Sequence, residues 1–247
     1  MVKQSGLYDI NKLPNDGYVI FPLSMSRLAT AQGAKECYEA LKFFEKKIQT
    51  IGSDVILLYT NGLYYNNSEP ALEVRKKTNG QMLTHRNAFM KIVLKEKKYV
   101  PQAFHFLPWD YLLLNALDFP EFLQKLKDAY EKDETFAQLV KDSLNERKET
   151  EANISFILEE MALNHVVRQK LVEFPKTLVR QDRYRLFLYP GPYMPADLYQ
   201  WKKKILPQRQ NKISNTNPYY ASQYDLDKRV LYNFDEMEIP QLIKVET

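Results

Sequence analysis

Ser24 is the residue of this sequence whose neighbours best suit it to nucleophilic chemistry. It closes the apolar run GYVIFPLS at 17–24 and is followed by a polar turn, MSRLATAQG. Ligand crevices of open parallel sheets form at the carboxyl ends of strands, so a hydroxyl there stands where a substrate would arrive. A serine in that place also suits the cap of the next helix. The GxSxG elbow of ordinary serine hydrolases is absent.

Two further positions carry groups that a serine would need. Glu159 and Glu160 lie in NISFILEEMALNH, where Ile154, Leu158 and Met161 form a core line. Glu160 sits beside that line, one turn after Phe156, so the two share a helix face. A carboxylate at the edge of an apolar face is partly desolvated, which raises its pKa and suits it to proton transfer near neutral pH. A solvated glutamate pair is the plainer reading of the same residues. Tyr189 closes RYRLFLYPG. Tyr-Pro-Gly is a turn signal first, but it also falls at the carboxyl edge of a strand, the edge of Ser24 if the strands are parallel.

Charge is uneven along the chain although the net charge is only +4. Arg75, Lys76, Lys77, Arg86, Lys91, Lys95, Lys97 and Lys98 fall within one predicted helix, against Glu73 and Glu96. That excess fits a phosphate-backbone footprint as well as it fits a solvated charged face. His85, His105 and His165 are scattered and make no HxxxH or HExxH pair, so no metal is expected. No Walker A or GxGxxG sequence occurs. The single cysteine, Cys37, shares a helical face with Leu41, Phe44 and Ile48 and reads as a buried residue, not a nucleophile. Trp109-Asp110 reads as a packing tryptophan with its neighbour.

The elements that must position these groups follow from the apolar periodicity. Residues 17–24 and 54–60 read as buried strands around a helix over about 34–49, the sequence form of a parallel βαβ unit. A basic helix is predicted over 70–98, a strand or extended segment over 99–107, and helices over 107–117, 119–144 and 152–172. Residues 184–190 read as a strand, 207–223 as a polar loop, and RVLYNF as a last strand. The expected fold class is α/β, with a mostly parallel sheet flanked by helices. Apolar residues make up 45% of the 247, enough for a sizeable core. No stretch approaches the roughly 18 apolar residues of a membrane span, and the N-terminus lacks the apolar run of a signal peptide. A soluble, cytosolic monomer is expected.

The order of these segments resembles the tRNA-dependent cyclodipeptide synthases, more closely their subgroup with a Tyr-Pro motif, over about residues 17–206. PLSMSR with GAKECYEALKFF resembles the nucleophile strand, serine loop and following helix. TNGQMLTHRN, LPWDYLLLN, SFILEEMA and LYPGPYMPA resemble the family's Arg-Asn, Trp-Asp, double-glutamate and Tyr-Pro-Gly segments, in the same order. The resemblance implies a single Rossmann-like domain over 1–206, similar to class I tyrosyl- and tryptophanyl-tRNA synthetases without their ATP motifs, with 207–247 packing on it. It implies two aminoacyl-tRNA substrates and no cofactor or metal.

The resemblance also implies roles. Ser24 would accept the first aminoacyl group. Glu160 would hold the aminoacyl amine and move protons, and Tyr189 would position the aminoacyl group. The basic helix would hold tRNA. Phe21, Leu23, Leu58 and Leu163 would line the first aminoacyl pocket, with Arg27 and Glu159 beside it. The acyl-enzyme would react with the amine of a second aminoacyl group, and the dipeptide would close on itself. Phe156 stands where the family pattern has Tyr, without the hydroxyl that would bond the bound aminoacyl group. That difference opens a second reading, a catalytically impaired relative that binds tRNA or RNA. A third is an unrelated serine-dependent α/β transferase.

Overall fold

A computed structural model describes residues 17–45, 54–61, 71–144, 147–169, 174, 184–187, 194–208, 222–225, 230–233 and 237–238. Its centre is a four-stranded, all-parallel sheet in the order β3-β2-β1-β4. The strands are β1 (Gly17–Leu23), β2 (Val55–Tyr59), β3 (Phe104–Pro108) and β4 (Tyr184–Phe187). The connecting elements are α1 (Ala34–Glu45), α2 (Ala71–Glu96), α3 (Trp109–Asn115), α4 (Phe119–Lys132), α5 (Glu134–Asp142), α6 (Glu151–Arg168) and α7 (Pro195–Lys203). β5 (Ser222–Asp225) and β6 (Val230–Asn233) form a separate antiparallel pair.

A parallel strand covered on both faces must be apolar throughout, and β2, VILLY, is buried at all five positions. The side-chain period of two then divides each strand between two cores. Val19, Phe21, Leu23, Val55, Leu57 and Tyr59 pack with Cys37 and Tyr38 of α1 and Phe89 and Val93 of α2. Tyr18, Ile20, Ile56 and Leu58 pack on the other face with residues of α3 to α7. The sheet is therefore a partition, with α1 and α2 on one side and the remaining helices on the other.

The element order follows the sequence expectation, with three differences. Residues 119–144 form two helices, because Asp133 ends α4 and caps α5, its carboxylate accepting the Phe136 N–H at 3.0 Å. Ser222 and Gln223, read as loop, belong to β5. α7 had no counterpart in the periodicity reading. It starts at Pro195, where a proline's missing N–H costs nothing.

Candidate active site

β1 runs beside β2 on one flank and β4 on the other. The chain therefore leaves β1 in one direction and returns on its opposite side. That is a topological switch point, where ligands of open α/β sheets bind beyond the strands' carboxyl ends. Ser24 is the residue just beyond β1 at that point, and it is buried. Its backbone is extended, φ −76° and ψ 128°, which continues the strand alternation by one residue. Leu23 faces α1 and α2, so the alternation puts Ser24 on the α6 side.

Among the described residues, hydrogen bonds hold the main chain around it. The Leu23 carbonyl accepts the Thr60 N–H at 2.9 Å, and the Ser24 carbonyl accepts the Arg27 N–H at 3.0 Å. The Ser24 N–H donates to Gln32 Oε1 at 2.6 Å. Ser24 therefore does not cap the 3₁₀ turn Met25–Arg27 through its side chain. Its Oγ lies 3.1 Å from Ser26 Oγ. Arg27 ends that turn, partly exposed.

α6 supplies the carboxylate. Thr150 caps it by accepting the Asn153 N–H at 3.3 Å, and from Phe156 to Arg168 nearly every residue is buried. Glu160 is 6% exposed, between the buried Leu158 and Met161 of the same helix. Glu159 is only partly buried and accepts a bond from Ser155 Oγ at 3.3 Å. The two glutamates thus have different environments, and Glu160 is the desolvated one. Phe156 is as buried as Glu160, with the Arg147 guanidinium 4.0 Å above its ring.

The expected aminoacyl pocket needs correction. Leu58 and Leu163 lie in the core on the α6 side. Phe21 and Leu23 lie in the core under α1 and α2, because the alternation of β1 sends them through the partition. The four cannot line one pocket. Tyr189 lies outside the described residues, two positions beyond the last residue of β4.

The basic residues of α2, with Lys97 and Lys98 just after it, are all exposed. Lys76 pairs with Glu73 at 3.3 Å. Arg86 lies over the Phe106 ring at 5.6 Å, beside a groove of about 600 Å³ that Tyr59, Met82 and Leu83 also line. That groove runs between α2 and the edge strand β3, two strands away from β1.

Sequence reasoning missed four residues near Ser24. Thr60 extends β2 by one position, level with Ser24 in register, and its buried hydroxyl has no hydrogen-bond partner among the described residues. Asn61 ties the end of β2 to α3, accepting the Trp109 N–H at 2.8 Å and donating to Asp110 at 3.3 Å. Gln32 and His85 are buried behind the serine turn. For His85 a signal existed: it shares the spacing of Val74, Thr78, Phe89 and Val93, the buried stripe of α2. Cys37 is buried as expected, and burial raises its thiol pKa far above the usual range. Trp109 is fully buried. Among the described residues there is no cluster of metal-ligating side chains, and no helix is long and apolar enough to cross a membrane.

No protein-family model matches the sequence, and no curated protein does. Solved structures do. A cyclodipeptide synthase from Fluoribacter dumoffii matches with a TM-score of 0.51 at 11% identity, over 77% of this chain and 84% of that one. A cyclodipeptide synthase from Bacillus thermoamylovorans gives 0.49 at 11% identity, over 87% and 94%. A Mycobacterium tuberculosis protein, described as relating cyclodipeptide synthetases to type I tRNA synthetases, gives 0.49 at 11%, over 88% and 95%. With its all-parallel sheet and its helices on both faces, this chain has the α/β fold of the Fluoribacter dumoffii cyclodipeptide synthase.

Proposed function

We propose that this protein joins the aminoacyl groups of two aminoacyl-tRNAs and releases a cyclic dipeptide, by a ping-pong route through an aminoacyl-Ser24 intermediate. The observation that carries the reading is Ser24 at the switch point of a sheet whose α6 side also holds the buried carboxyl of Glu160. The similarity of fold supports it.

The chemistry balances without an added cofactor. Ser24 Oγ attacks the ester carbonyl of the first aminoacyl-tRNA. The bond to the ribose oxygen breaks, and the serine proton passes to that oxygen. The ester is already activated, so ATP is not needed. Peptide-bond formation and ring closure are then two amine-on-ester attacks. Each forms one amide, breaks one ester and moves one proton from nitrogen to the leaving oxygen. Glu160 is the proposed proton carrier, with Tyr189 as the proposed positioning group. The Ser24 N–H is already bonded to Gln32, so the oxyanion needs other donors. The exposed cations of α2, Arg75, Lys76, Lys77, Arg86, Lys91 and Lys95, with Lys97 and Lys98, are the proposed tRNA contacts.

Mass spectrometry of extracts from a bacterium expressing the protein, beside a Ser24→Ala control, tests this. New cyclic dipeptides that vanish with Ser24→Ala are the expected result and would name the amino acids joined. A soluble, folded wild type that yields none would reject the reading. Phe156, a ring without a hydroxyl and already covered by Arg147, favours one second reading, a tRNA-binding relative without chemistry. In that case tRNA binds while no product forms.

A further inference from the structure

Behind the serine turn, a chain of buried hydrogen bonds leads from α2 to Ser24. The Ser24 N–H donates to Gln32 Oε1 at 2.6 Å. The backbone carbonyl of the same Gln32 lies 3.1 Å from His85 Nε2 on α2. His85 Nδ1 lies 2.8 Å from the Tyr59 hydroxyl at the end of β2. Gln32 and Tyr59 are 0% exposed and His85 4%. Burial favours the neutral His85 ring, and in that ring the donor directions follow. A carbonyl only accepts, so His85 Nε2 carries the hydrogen, Nδ1 is the acceptor, and Tyr59 O–H donates to it.

We propose that Gln32, His85 and Tyr59 form a strut that sets the position of Ser24 and ties it to α2. They are positioning residues, and the inference rests on the catalytic role proposed above for Ser24. Three elements converge on one residue: β2 through Tyr59, α2 through His85, and the turn before α1 through Gln32. The bond to Gln32 reaches the Ser24 main chain from a side chain, so it can be removed without breaking the sheet. Burial holds the His85 pKa below its usual value, so the neutral ring that the strut requires persists to lower pH than in a free histidine. The strut also joins the nucleophile to the helix bearing the basic residues, so the two keep a fixed spacing. A nucleophile displaced by about 1 Å loses roughly 100-fold in rate, so a restraint of this kind acts on the rate more than on binding.

The test uses the full chain with Gln32→Leu, which removes the acceptor, Gln32→Glu, which restores one, and Tyr59→Phe. Two readouts are taken on each: amide hydrogen exchange at Ser24, and the rate of Ser24 acylation by aminoacyl-tRNA followed by intact mass. Gln32→Leu is expected to speed Ser24 exchange at least 10-fold. It should slow acylation roughly 10- to 100-fold, with the KM for aminoacyl-tRNA within about twofold, and Tyr59→Phe, which removes the donor to His85, should slow it in the same direction by less. Gln32→Glu should recover most of the rate. Nitrogen shifts of His85 should report the Nε2–H form. Unchanged exchange in Gln32→Leu, or an Nδ1–H tautomer, would overturn the strut whatever the chemistry. Faster exchange with wild-type acylation would overturn the positioning role and leave the proposed function standing. A wild type that never acylates Ser24 would reject the proposed function, and the positioning role with it, while the exchange data would still judge the strut.

Discussion

At the scale of single residues, Glu160 and Phe156 face the same core but ask different questions. Glu160→Gln keeps the shape of a side chain that is 6% exposed and removes its titratable carboxyl. If it moves protons, the rate of cyclic dipeptide formation should fall by roughly 10²–10⁴, measured by initial rates on purified protein. A loss of less than tenfold would assign it to packing. Phe156→Tyr adds one hydroxyl one turn before Glu160. One hydrogen bond contributes about 1 kcal/mol, so the rate should rise about fivefold if the ring borders the substrate. An unchanged rate would place the ring against protein only, under the Arg147 guanidinium that already covers it.

At the scale of elements, α2 and the α6–α7 pair do separate work. α2 buries Val74, Thr78, His85, Phe89 and Val93 and leaves its cations in solvent. Exposed cations act on a polyanion chiefly through counterion release. Lys91→Ala with Lys95→Ala should therefore weaken tRNA binding and reduce the slope of log K against log salt by about 1 to 2, read by fluorescence anisotropy. An unchanged slope would remove both lysines from the footprint. α6 and α7 are joined by the buried Arg168–Asp197 ion pair, with Gln200 donating to Asp197 at 3.1 Å. Asp197→Asn removes the carboxylate that pairs with the buried Arg168 guanidinium, and breaking a buried pair costs about 3–5 kcal/mol. Urea unfolding should show that loss, whereas a loss under about 1 kcal/mol would mean Arg168 finds water.

At the scale of the whole molecule, acid should unfold this protein through its buried histidines. His165 is fully buried, donates from Nε2 to the Pro207 carbonyl at 2.9 Å, and burial lowers its pKa to about 4. A histidine depressed in the folded state binds its proton more weakly there than in the unfolded chain. Stability is therefore whole above about pH 6.5 and falls as the pH drops toward 4. The loss from this one group between pH 7.5 and 4.5 is about 2–3 kcal/mol, and His85 adds to it with the same sign. Chemical denaturation at the two pH values, beside His165→Asn, should show a flatter acid limb in the variant. Equal limbs would assign the acid sensitivity elsewhere.

The class of the fold, the first βαβ unit and the basic helix were legible in the sequence because each is local. An apolar run of strand length, a stripe at helical spacing and a cluster of like charges report on neighbours along the chain. The difference between Glu159 and Glu160 was legible for the same reason, since one helix turn decides which of them joins the apolar face. What needed the tertiary structure is everything that depends on which strand lies beside which. The order β3-β2-β1-β4 makes the end of β1 a switch point, and no local pattern encodes that order. The alternation of β1 sends Phe21 and Leu23 to one face and Ser24 toward the other. Four apolar residues that looked alike in the sequence therefore fall on two sides of a sheet. His85, scattered among three histidines in the sequence, meets Gln32 across 53 residues of chain and through it reaches Ser24. A sequence determines the polarity of each face, but contacts that close a site are formed between elements distant in the chain, and only their packing selects which faces meet.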